Sequence, residues 1–487
     1  GYGFSSIEAQ AADDADNAEQ VFVGICRPNC PGKCPMNVHV RNGKIVKTSK
    51  LDLPIPENER ICQRGRTHVE RVYNPKRIMY PLRRVGERGG GQWERITWEE
   101  AIDEICAKWK GYVTEYGPQS IAVIGNSGNL AADTSSYPKA LFAAMGTTAI
   151  SNRYDQVVKF AFENTFALNW SNGVYLNDAR NMQNAKYIFV WSCNETVSEV
   201  GTHAQLQAAL DKGAKLIVID PTYTTIASKA DMFVSIRPGT DAVLAMAMMN
   251  IAIAEGKSDL DTLMHSTVAP FLVKKEDGKY LRLSDLGQAV AGDEEDMIVV
   301  RSEDGTIGLP DDIENPVIKG SYSIEGHDVT TAYDLLIEKA AEWTPERASE
   351  LCDIPVDTIY ELAHMYAEGP SIIHIGWGVD RYSTARYMYY ATTALSMVTG
   401  QIGKPGTGFS GCVAAQPSSR CLVGPKISRP EGVDKGPTFA APLLYDAVTK
   451  GKYGYTDTDV NIKSIFCYVA DHLGNQTNRQ EMLAVFD

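Results

Sequence analysis

The sequence predicts an α/β protein in which a small N-terminal cysteine-rich domain precedes two Rossmann-like α/β domains with mostly parallel sheets. Three observations predict this fold class. Four cysteines lie near the N-terminus, apolar runs of strand length recur further on and end in Gly, Asn or Asp, and helical patterns separate most of these runs. Buried parallel strands read as continuous apolar runs, and their sheets bind ligands at the carboxyl ends of the strands. The pattern therefore predicts ligand-binding loops along one edge of each sheet.

The composition is that of an ordinary globular protein. Of 487 residues, 44% are hydrophobic and 22% are charged, and the net charge is −14. Nucleic acids and anionic membrane surfaces attract basic proteins, so the acidic balance argues against either as the main partner. The sequence has no apolar run of the roughly 18 residues that a membrane-spanning helix needs. Ten cysteines in a chain of this length do not make a disulphide scaffold.

The four N-terminal cysteines have the spacing of a metal site. Cys26, Cys30 and Cys34 are separated by three residues each, and Cys62 follows on a distant segment. Four thiolates suit zinc or an iron–sulphur cluster. Zinc sites usually pair their cysteines in two knuckles, whereas three bunched ligands and one distant ligand are commoner around a four-iron cluster. We favour the cluster, then zinc, then disulphides, because three cysteines this close are hard to pair with one another.

A hairpin and a basic residue accompany these cysteines. Asn42-Gly43 between β-branched residues is a strong hairpin signal, and this hairpin and the cysteine loop would form a small cap. Arg64 stands two residues beyond Cys62. It is either a solvated surface charge or a fixed cation beside the cluster, able to hold or relay to a second redox group.

The next part of the chain alternates helical and strand patterns. Trp98–Tyr116 is predicted to be a helix, because Thr97 is a suitable N-cap and apolar residues recur at helical spacing. Strand runs and the loop residues that follow them are Ile121–Ile124 before Gly125 and Ser127, Lys186–Trp191 before Asn194, Lys215–Ile219 before Asp220, and Met232–Ile236 before Gly239, Thr240 and Asp241. Asp220 is placed to accept hydrogen bonds from a sugar or a guanine, although an aspartate there is more often a turn cap.

A second α/β pattern occupies the C-terminal half. Before it, Lys274–Asn315 is charged and poorly periodic, which predicts a surface excursion with short strands. The later elements are a helix at Val356–Tyr366, a strand at Ser371–Ile375 before Gly376 and Gly378, a helix leading to Gly400, Gly403 and Gly406, and a strand at Ser464–Val469. Glycines at this density let the backbone approach a large ligand closely. Two such patterns predict two nucleotide-type ligands, or one cofactor made in two halves.

The order of these motifs resembles that of the molybdopterin oxidoreductases of the dimethyl-sulphoxide-reductase family, over nearly the whole chain from Val21. The resemblance implies a catalytic large subunit with a [4Fe-4S] cluster and a molybdenum ion, or tungsten, held by two molybdopterin guanine dinucleotides. Arg64 matches the Lys or Arg that lies between cluster and pterin in the family. The positions that match the cluster ligands are Cys26, Cys30, Cys34 and Cys62.

The resemblance also implies dinucleotide contacts. Asn194 matches a pterin-contacting loop, although Ser192 and Glu195 stand where glycine and proline are usual in the family, and Thr222 where arginine is frequent. Matches to the guanosine site of one dinucleotide are Asp220, Gly239, Thr240 and Asp241. Matches to the unit that binds the second dinucleotide are Gly376, Gly378, Gly400, Gly403, Pro405 and Gly406, and Gly125 and Ser127 are further candidates for cofactor contact.

From the same resemblance we predict the domain boundaries. The N-terminal tail and [4Fe-4S] domain would span 1–75. One α/β domain would combine 76–145 with 370–487 and bind one pterin dinucleotide, and an inserted α/β domain at 146–369 would bind the other. The family's C-terminal β-barrel domain has no counterpart that we recognise in this sequence, so we expect either a fragment or a remainder on another chain.

The resemblance places the protein ligand of molybdenum between Ser151 and Val158. Asp155 falls on the ligand position if a few extra residues occupy the loop around 170–175, and a carboxylate suits an oxidised molybdenum centre. Ser151 is the alternative ligand, and an aspartate at 155 would otherwise be a helix cap. Tyr154 and His203 are candidate proton donors near the substrate, and each also has a structural explanation.

The implied reaction is the removal of an oxygen atom or a hydroxyl group from a small organic or oxyanion substrate. Reductive dehydroxylation of a catechol is the narrowest expectation, with reduction of a sulphoxide, N-oxide or oxyanion as the alternative. A protein of another class, an iron–sulphur electron-transfer subunit without molybdenum, is also considered. The resemblance further implies an iron–sulphur electron-transfer partner, a membrane-anchor subunit, and a bacterial protein exported to the outer face of the cytoplasmic membrane, with the cytoplasm as the alternative location.

Overall fold

The structure, a computed structural model, describes residues 18–26, 34–54, 56, 59–125, 132–151, 161, 164–166, 177–410, 427–452, 459–475 and 478–486. The described strands are β1 Gln20–Ile25, β2 Pro35–Arg41, β3 Lys44–Lys50, β4 Leu82–Arg84, β5 Trp93–Arg95, β6 Ile121–Gly125, β7 Thr148–Ser151, β8 Tyr187–Trp191, β9 Lys215–Ile219, β10 Met232–Val234, β11 Leu272–Lys274, β12 Val300–Arg301, β13 Ile307–Gly308, β14 Ser321–Ile324, β15 His327–Thr331, β16 Ser371–Ile375, β17 Gly408–Ser410, β18 Thr438–Ala440 and β19 Ser464–Tyr468. The described α-helices are Gln63–Arg66, His68–Val72, Trp98–Tyr116, Ala132–Met145, Glu195–Ser198, Val200–Asp211, Asp241–Ala254, Leu260–Ser266, Ala332–Ala341, Pro345–Cys352, Val356–Glu368, Ala385–Val398, Leu444–Thr449, His472–Asn475 and Arg479–Phe486.

The chain divides into two compact units, Gly1–Arg153 with Ser419–Asp487, and Tyr154–Ser418. The first unit contains the antiparallel sheet β1-β2-β3, the pair β4-β5 and a parallel sheet in the order β18-β7-β6-β19. The second unit contains a larger parallel sheet in the order β10-β9-β8-β16-β17. The two parallel sheets confirm the predicted α/β class. None of the described helices is both long and apolar enough to cross a membrane.

The local predictions for the first unit are confirmed. Strands β2 and β3 form an antiparallel hairpin, and Asn42 and Gly43 at its tip have φ angles of 50° and 69°. Positive φ at both central residues is what a tight type I′ hairpin turn requires, and Asn-Gly supplies it at low cost. The helix Trp98–Tyr116 begins at the predicted cap, where the Thr97 hydroxyl accepts a hydrogen bond from the Glu100 amide.

Aromatic packing holds the parallel sheet of the first unit. The ring of Trp109 lies 5.7 Å from that of Phe142 and 6.0 Å from that of Phe466, centroid to centroid. Its indole Nε1 donates to the Ser464 hydroxyl at 3.0 Å. The helix Trp98–Tyr116 is thereby fixed to β19, a strand at the far end of the sequence.

The sheet of the second unit has a topological switch point. All residues of β8 and β16 are buried, as expected for parallel strands with both faces covered. The chain runs from β8 outward to β9 and β10, and later returns to place β16 and β17 on the other side of β8. The carboxyl ends of β8 and β16 therefore flank the position at which α/β sheets bind ligands.

The strand pairing divides a segment that the sequence analysis kept together. We predicted that 370–487 joins 76–145. However, β16 pairs with β8 in the second unit, whereas β18 pairs with β7 and β19 pairs with β6 in the first unit. A short buried apolar run fits either sheet, so periodicity does not identify its neighbour. The division into domains as a whole stays a prediction.

The charged excursion Lys274–Asn315 contains the short strands β12 and β13, as predicted. The strands that border it in the sequence, β11, β14 and β15, form a small antiparallel sheet. This sheet has its own apolar cluster, formed by Leu272, Leu281, Val299 and Val329. The charges lie around the cluster, and Lys274 pairs with Asp285 at 2.8 Å.

Candidate functional site

Two of the N-terminal cysteines belong to a small buried cluster in the first unit. Cys26 and Cys34 are 4% and 8% exposed and pack with Met36. The amide of Cys26 donates to the carbonyl of Cys34 at 2.8 Å, which closes the loop between them. Cys62 is half-buried and begins the helix Gln63–Arg66. Cys30 lies outside the described residues.

Gly65 shows that the segment bearing Cys62 lies close to Cys26. A Cβ at Gly65 would clash with the Ile61 side chain and would lie 3.6 Å from the Cys26 sulphur. Arg64 is exposed beside it, and its predicted place between cluster and pterin stays a prediction. His68, which the sequence analysis did not identify, has its Nε2 3.3 Å from the Cys26 sulphur. Burial, with a smaller effect of Arg71, lowers the pKa of His68.

Most of the predicted dinucleotide residues in the second unit share one edge of its sheet. Because the strands are parallel, their carboxyl ends meet at the same edge. The residues at that edge are Asn194 after β8, Asp220 after β9, Gly239, Thr240 and Asp241 after β10, and Gly376 and Gly378 after β16.

Gly376 and Gly378 allow the two loops at the switch point to approach each other. A Cβ on Gly376 would lie 3.0 Å from the Cys193 sulphur, and one on Gly378 would lie 2.8 Å from the carbonyl oxygen of Ser192. Ser192 itself has a φ of 51°, in the left-handed region that favours glycine. The family's usual glycine at this position therefore has a backbone reason, which the sequence alone did not show.

The carboxylates at this edge differ in their availability. Asp241 is 3% exposed and accepts hydrogen bonds from Trp191 Nε1 at 2.9 Å and from the Ser192 hydroxyl at 3.1 Å. Burial raises the pKa of Asp241. Asp220 is half-buried, and its Oδ1 accepts from the Thr222 amide at 2.8 Å. Burial, and to a lesser degree the charge of Asp241, raises the pKa of Asp220. Asp220 is thus the carboxylate that a ligand at this edge can reach.

Gly400, Gly403 and Gly406 lie at the opposite edge of the sheet. They connect the helix Ala385–Val398 to the amino end of β17, so the structure does not bring them to the edge with Asp220. All three have positive φ, between 66° and 81°. A Cβ on Gly406 would clash with the carbonyl oxygen of Asn184, which precedes β8. Gly406 therefore has a packing explanation, and the predicted cofactor contact of the run remains untested.

The other predicted residues are placed as follows. Gly125 ends β6 in the first unit, beside β19, where a Cβ would clash with the Tyr468 ring. Ser127, Tyr154 and Asp155 lie outside the described residues. His203 pairs through Nδ1 with the carboxylate of Glu195, which is fully buried. That carboxylate raises the pKa of His203.

Two protein-family models match the sequence. The model described as Molybdopterin oxidoreductase matches residues 77–478, and the model described as Molybdopterin oxidoreductase Fe4S4 domain matches residues 19–74. The chain belongs to the molybdopterin oxidoreductase family. These matches confirm the predicted family, its oxidoreductase class, and its cofactors, a [4Fe-4S] cluster and a molybdenum-bearing molybdopterin guanine dinucleotide.

Curated relatives of this molybdopterin oxidoreductase are longer than the chain. It is 30% identical over 514 residues to the dimethyl sulfoxide reductase DmsA of Escherichia coli, covering 97% of this chain and 55% of that protein. It is 28% identical to the alpha subunit of the perchlorate reductase of Dechloromonas aromatica, covering 78% of this chain and 45% of that protein. The chain thus spans about half the length of the curated relatives it matches. The structure of acetylene hydratase from Pelobacter acetylenicus superposes with a TM-score of 0.64 at 20% identity, over 95% of this chain and 59% of that one, and supports the fold.

A buried polar group in the molybdopterin oxidoreductase was missed by the sequence analysis. The ligand atoms of Cys193, Glu199 and His374 all lie within 4.8 Å of one another. Burial, then the carboxylates of Glu199 and Glu195, raises the pKa of Cys193 well above its usual range. The available signal was a histidine, His374, inside the apolar run of β16. That signal does not identify partners that lie far apart in the sequence.

Proposed function

We propose that this chain is the catalytic part of a molybdenum enzyme that removes an oxygen atom or a hydroxyl group from a small substrate. The observation that supports this most is the carboxyl edge of the second unit. There Asp220 is accessible and the loops after β8 and β16 flank a switch point, an arrangement suited to a dinucleotide. An electron-transfer subunit that had lost molybdenum would not need a dinucleotide-binding site at this edge.

The residues of the chain have separate tasks in this proposal. When bound, the molybdenum cofactor supplies the chemistry of oxygen transfer and electron exchange, while the protein binds and orients it. Asp220 accepts hydrogen bonds from the sugar or the guanine, and Asn194 contacts the pterin. Asp155 is the protein ligand of molybdenum, with Ser151 as the alternative. Arg64 lies on the path of electrons from the cluster.

Proton delivery is proposed for two residues. Tyr154 is next to the proposed metal ligand in sequence. His203 is half-buried and bonded to the buried Glu195, which favours its protonated form. Such a histidine can hold a proton near neutral pH for transfer to a substrate.

For the substrate we propose a sulphoxide, N-oxide or oxyanion. The relatives' names support this class, since they include a dimethyl sulfoxide reductase and a perchlorate reductase. Dehydroxylation of a catechol is a narrower proposal, which the names of these two relatives do not support. Both reactions remove an oxygen-containing group from the substrate. The same reductase assay can therefore be run on both substrate classes, and it shows which class is turned over.

The experiment begins with metal analysis of anaerobically purified protein. We expect about four iron atoms per chain, and molybdenum or tungsten in addition. Iron without either heavy metal would establish the electron-transfer alternative. Oxidation of a reduced viologen dye is then measured with sulphoxides, N-oxides, oxyanions and catechols. Turnover of catechols alone would show that the substrate is a catechol and not a sulphoxide, N-oxide or oxyanion.

A second experiment tests the proposed metal ligand. Asp155→Ala is compared with Ser151→Ala in viologen oxidation and in metal content. We expect Asp155→Ala to lose more than about 100-fold in turnover, because even residues that only support a metal ligand cost about 10–100-fold when removed. Ser151→Ala should keep its activity. The reverse pattern would move the ligand to Ser151.

An electron-transfer partner is proposed to dock on the cysteine-bearing domain. Strand β1 is at the edge of its sheet and exposes apolar side chains. Phe22 is 51% exposed and Val23 is 71% exposed. An exposed apolar edge strand is typical of an interaction surface. Val23→Glu should weaken electron delivery from an iron–sulphur subunit while leaving turnover with viologen unchanged. A membrane-anchor subunit and an exported location are further proposals from the family resemblance.

A further inference from the structure

Three polar side chains form a closed group beneath the switch point of the second unit. Cys193 lies in the loop after β8, Glu199 precedes the helix Val200–Asp211, and His374 lies within β16. They are 3%, 1% and 0% exposed. The Cys193 sulphur is 3.8 Å from Oε1 of Glu199, and Nε2 of His374 is 3.7 Å from its Oε2.

Part of this group lacks hydrogen-bond partners. Among the described residues, Oε2 of Glu199 and Nε2 of His374 are buried without a partner, and so is Oε2 of Glu195. Buried carboxylates are costly unless they are paired, hydrogen-bonded or bound to a metal. The imidazole of His203 pairs with the other oxygen of Glu195. Oε2 of Glu199 and Nε2 of His374 face each other at 3.7 Å, and neither atom has a hydrogen-bond partner among the described residues.

We propose that Cys193, Glu199 and His374 bind a divalent transition-metal ion, zinc being the best match, at a site separate from the iron and molybdenum centres. One sulphur, one imidazole nitrogen and carboxylate oxygen form a donor set that zinc accepts readily. A tetrahedral zinc ion sets such atoms about 3.3–3.8 Å apart, given bonds of about 2.0–2.3 Å. The two separations in the structure, 3.8 and 3.7 Å, are close to that range.

The surroundings of His374 support a ligand role. Its Nδ1 lies 3.1 Å from the hydroxyl of Ser410, which is itself buried on β17. Histidines that bind metals usually engage their second ring nitrogen in this way, which fixes the ring and directs the first nitrogen at the ion. Nε2 faces Glu199 and is the nitrogen left available.

The ion would have a structural task. Cys193 belongs to one loop at the switch point, and His374 is two residues before Gly376 in the other. A metal bond from each would join β16 to the loop after β8. This would fix the spacing of the two loops between which the ligand-binding crevice opens.

The test measures metal in the full chain, purified anaerobically, incubated with zinc chloride and desalted. We expect about one zinc per chain beside iron and molybdenum. Cys193→Ser and His374→Gln should each lower the zinc content at least fivefold with iron unchanged. Cys352→Ser removes another buried cysteine and His364→Gln an exposed histidine, and both controls should retain zinc.

X-ray absorption at the zinc edge of the unaltered protein gives a result that does not depend on the folding of variants. We expect one sulphur at about 2.3 Å from the zinc ion, and nitrogen or oxygen ligands at about 2.0–2.1 Å. Four sulphurs would show zinc in the N-terminal cysteines instead and would overturn the proposal. So would the absence of bound zinc, or a zinc content that neither Cys193→Ser nor His374→Gln lowers.

Discussion

At the residue scale, Gly403 and Gly406 illustrate two different reasons for glycine, which are a positive φ angle and close packing against a neighbouring backbone. Gly403 and Gly406 both have positive φ, 72° and 81°. A Cβ on Gly403 would meet nothing within 4 Å, whereas one on Gly406 would clash with the Asn184 carbonyl. The two glycines are therefore a matched pair in which only the second also avoids a steric clash.

Alanine at these positions should destabilise the protein to different extents. Gly403→Ala is expected to cost about 1 kcal/mol, the penalty of a left-handed backbone for an L-residue. Gly406→Ala should cost about 3 kcal/mol, because an overpacking penalty is added. Thermal unfolding followed by circular dichroism ranks the two variants. Equal midpoints would show that the loop moves away from Asn184 at little cost.

The pair between His203 and Glu195 should make stability depend on pH. The pKa of His203 is raised in the folded protein, chiefly by its hydrogen bond to Glu195. Between the unfolded pKa of histidine, about 6.5, and the higher folded pKa, the folded state binds more protons than the unfolded state. The pair therefore stabilises the protein fully below about pH 6.5, and this stabilisation is lost as the pH rises through the folded pKa.

Unfolding midpoints of the wild type and of His203→Gln, measured from pH 5.5 to 9, check this expectation. The difference between the two proteins should be largest at acid pH and should shrink as the pH rises. A difference that stays constant over this range would show that the pair contributes no proton-linked stability. Using the difference removes contributions from the other titrating groups.

At the scale of elements, the helix Trp98–Tyr116 depends on its first turn. The Thr97 hydroxyl accepts from the Glu100 amide at 3.1 Å, and the Glu100 carboxylate accepts from the Thr97 amide at 2.8 Å. This reciprocal capping box satisfies two donors that a helix start otherwise leaves without partners. Since this helix packs only through half-buried side chains such as Trp109, the cap should matter more than in a helix with a fully buried face.

Thr97→Ala should therefore lower the free energy of unfolding of the first unit by about 1 kcal/mol. Thr114→Ala is the control, because that hydroxyl donates to a carbonyl within the helix, that of Lys110, and mid-helix bonds of this kind give little stability. Limited proteolysis near residue 97, read by mass spectrometry, localises the effect. Equal effects of the two variants would contradict a special role for the cap.

At the scale of the whole molecule, the cofactor prediction has a direct chemical check. Cys62→Ser should lower the iron content from about four atoms per chain and bleach the broad visible absorption, because a [4Fe-4S] cluster needs four thiolate ligands. Cys106→Ser, at an exposed cysteine in another helix, should keep both. Iron that is unchanged in Cys62→Ser would exclude this cysteine as a ligand.

Much of the fold and part of the site were predictable from local patterns. The strand Lys215–Ile219, the helix Trp98–Tyr116 and the Asn-Gly hairpin were predicted correctly because the residues that define each lie within a few turns or pairs of one another. The neighbours of β16 were not, because strand pairing depends on distant segments. The glycine run at Gly400–Gly406 was predicted to contact a ligand, and this stays a prediction. The close approach of Gly406 to the Asn184 carbonyl is a packing relation that glycine density alone did not show.

The sequence by itself determined the family, the two cofactors and the position of strands and loops, because spacing and periodicity are local properties of the chain. Only the tertiary structure showed that Asn194, Asp220 and Gly376 share one edge, that Gly406 lies at the other, and that the side chains of Cys193, Glu199 and His374 lie within 4.8 Å of one another. These relations join residues far apart in the sequence through parallel strand pairing and burial. No local pattern records which strand becomes the neighbour of which, so the group beneath the switch point became visible only in three dimensions.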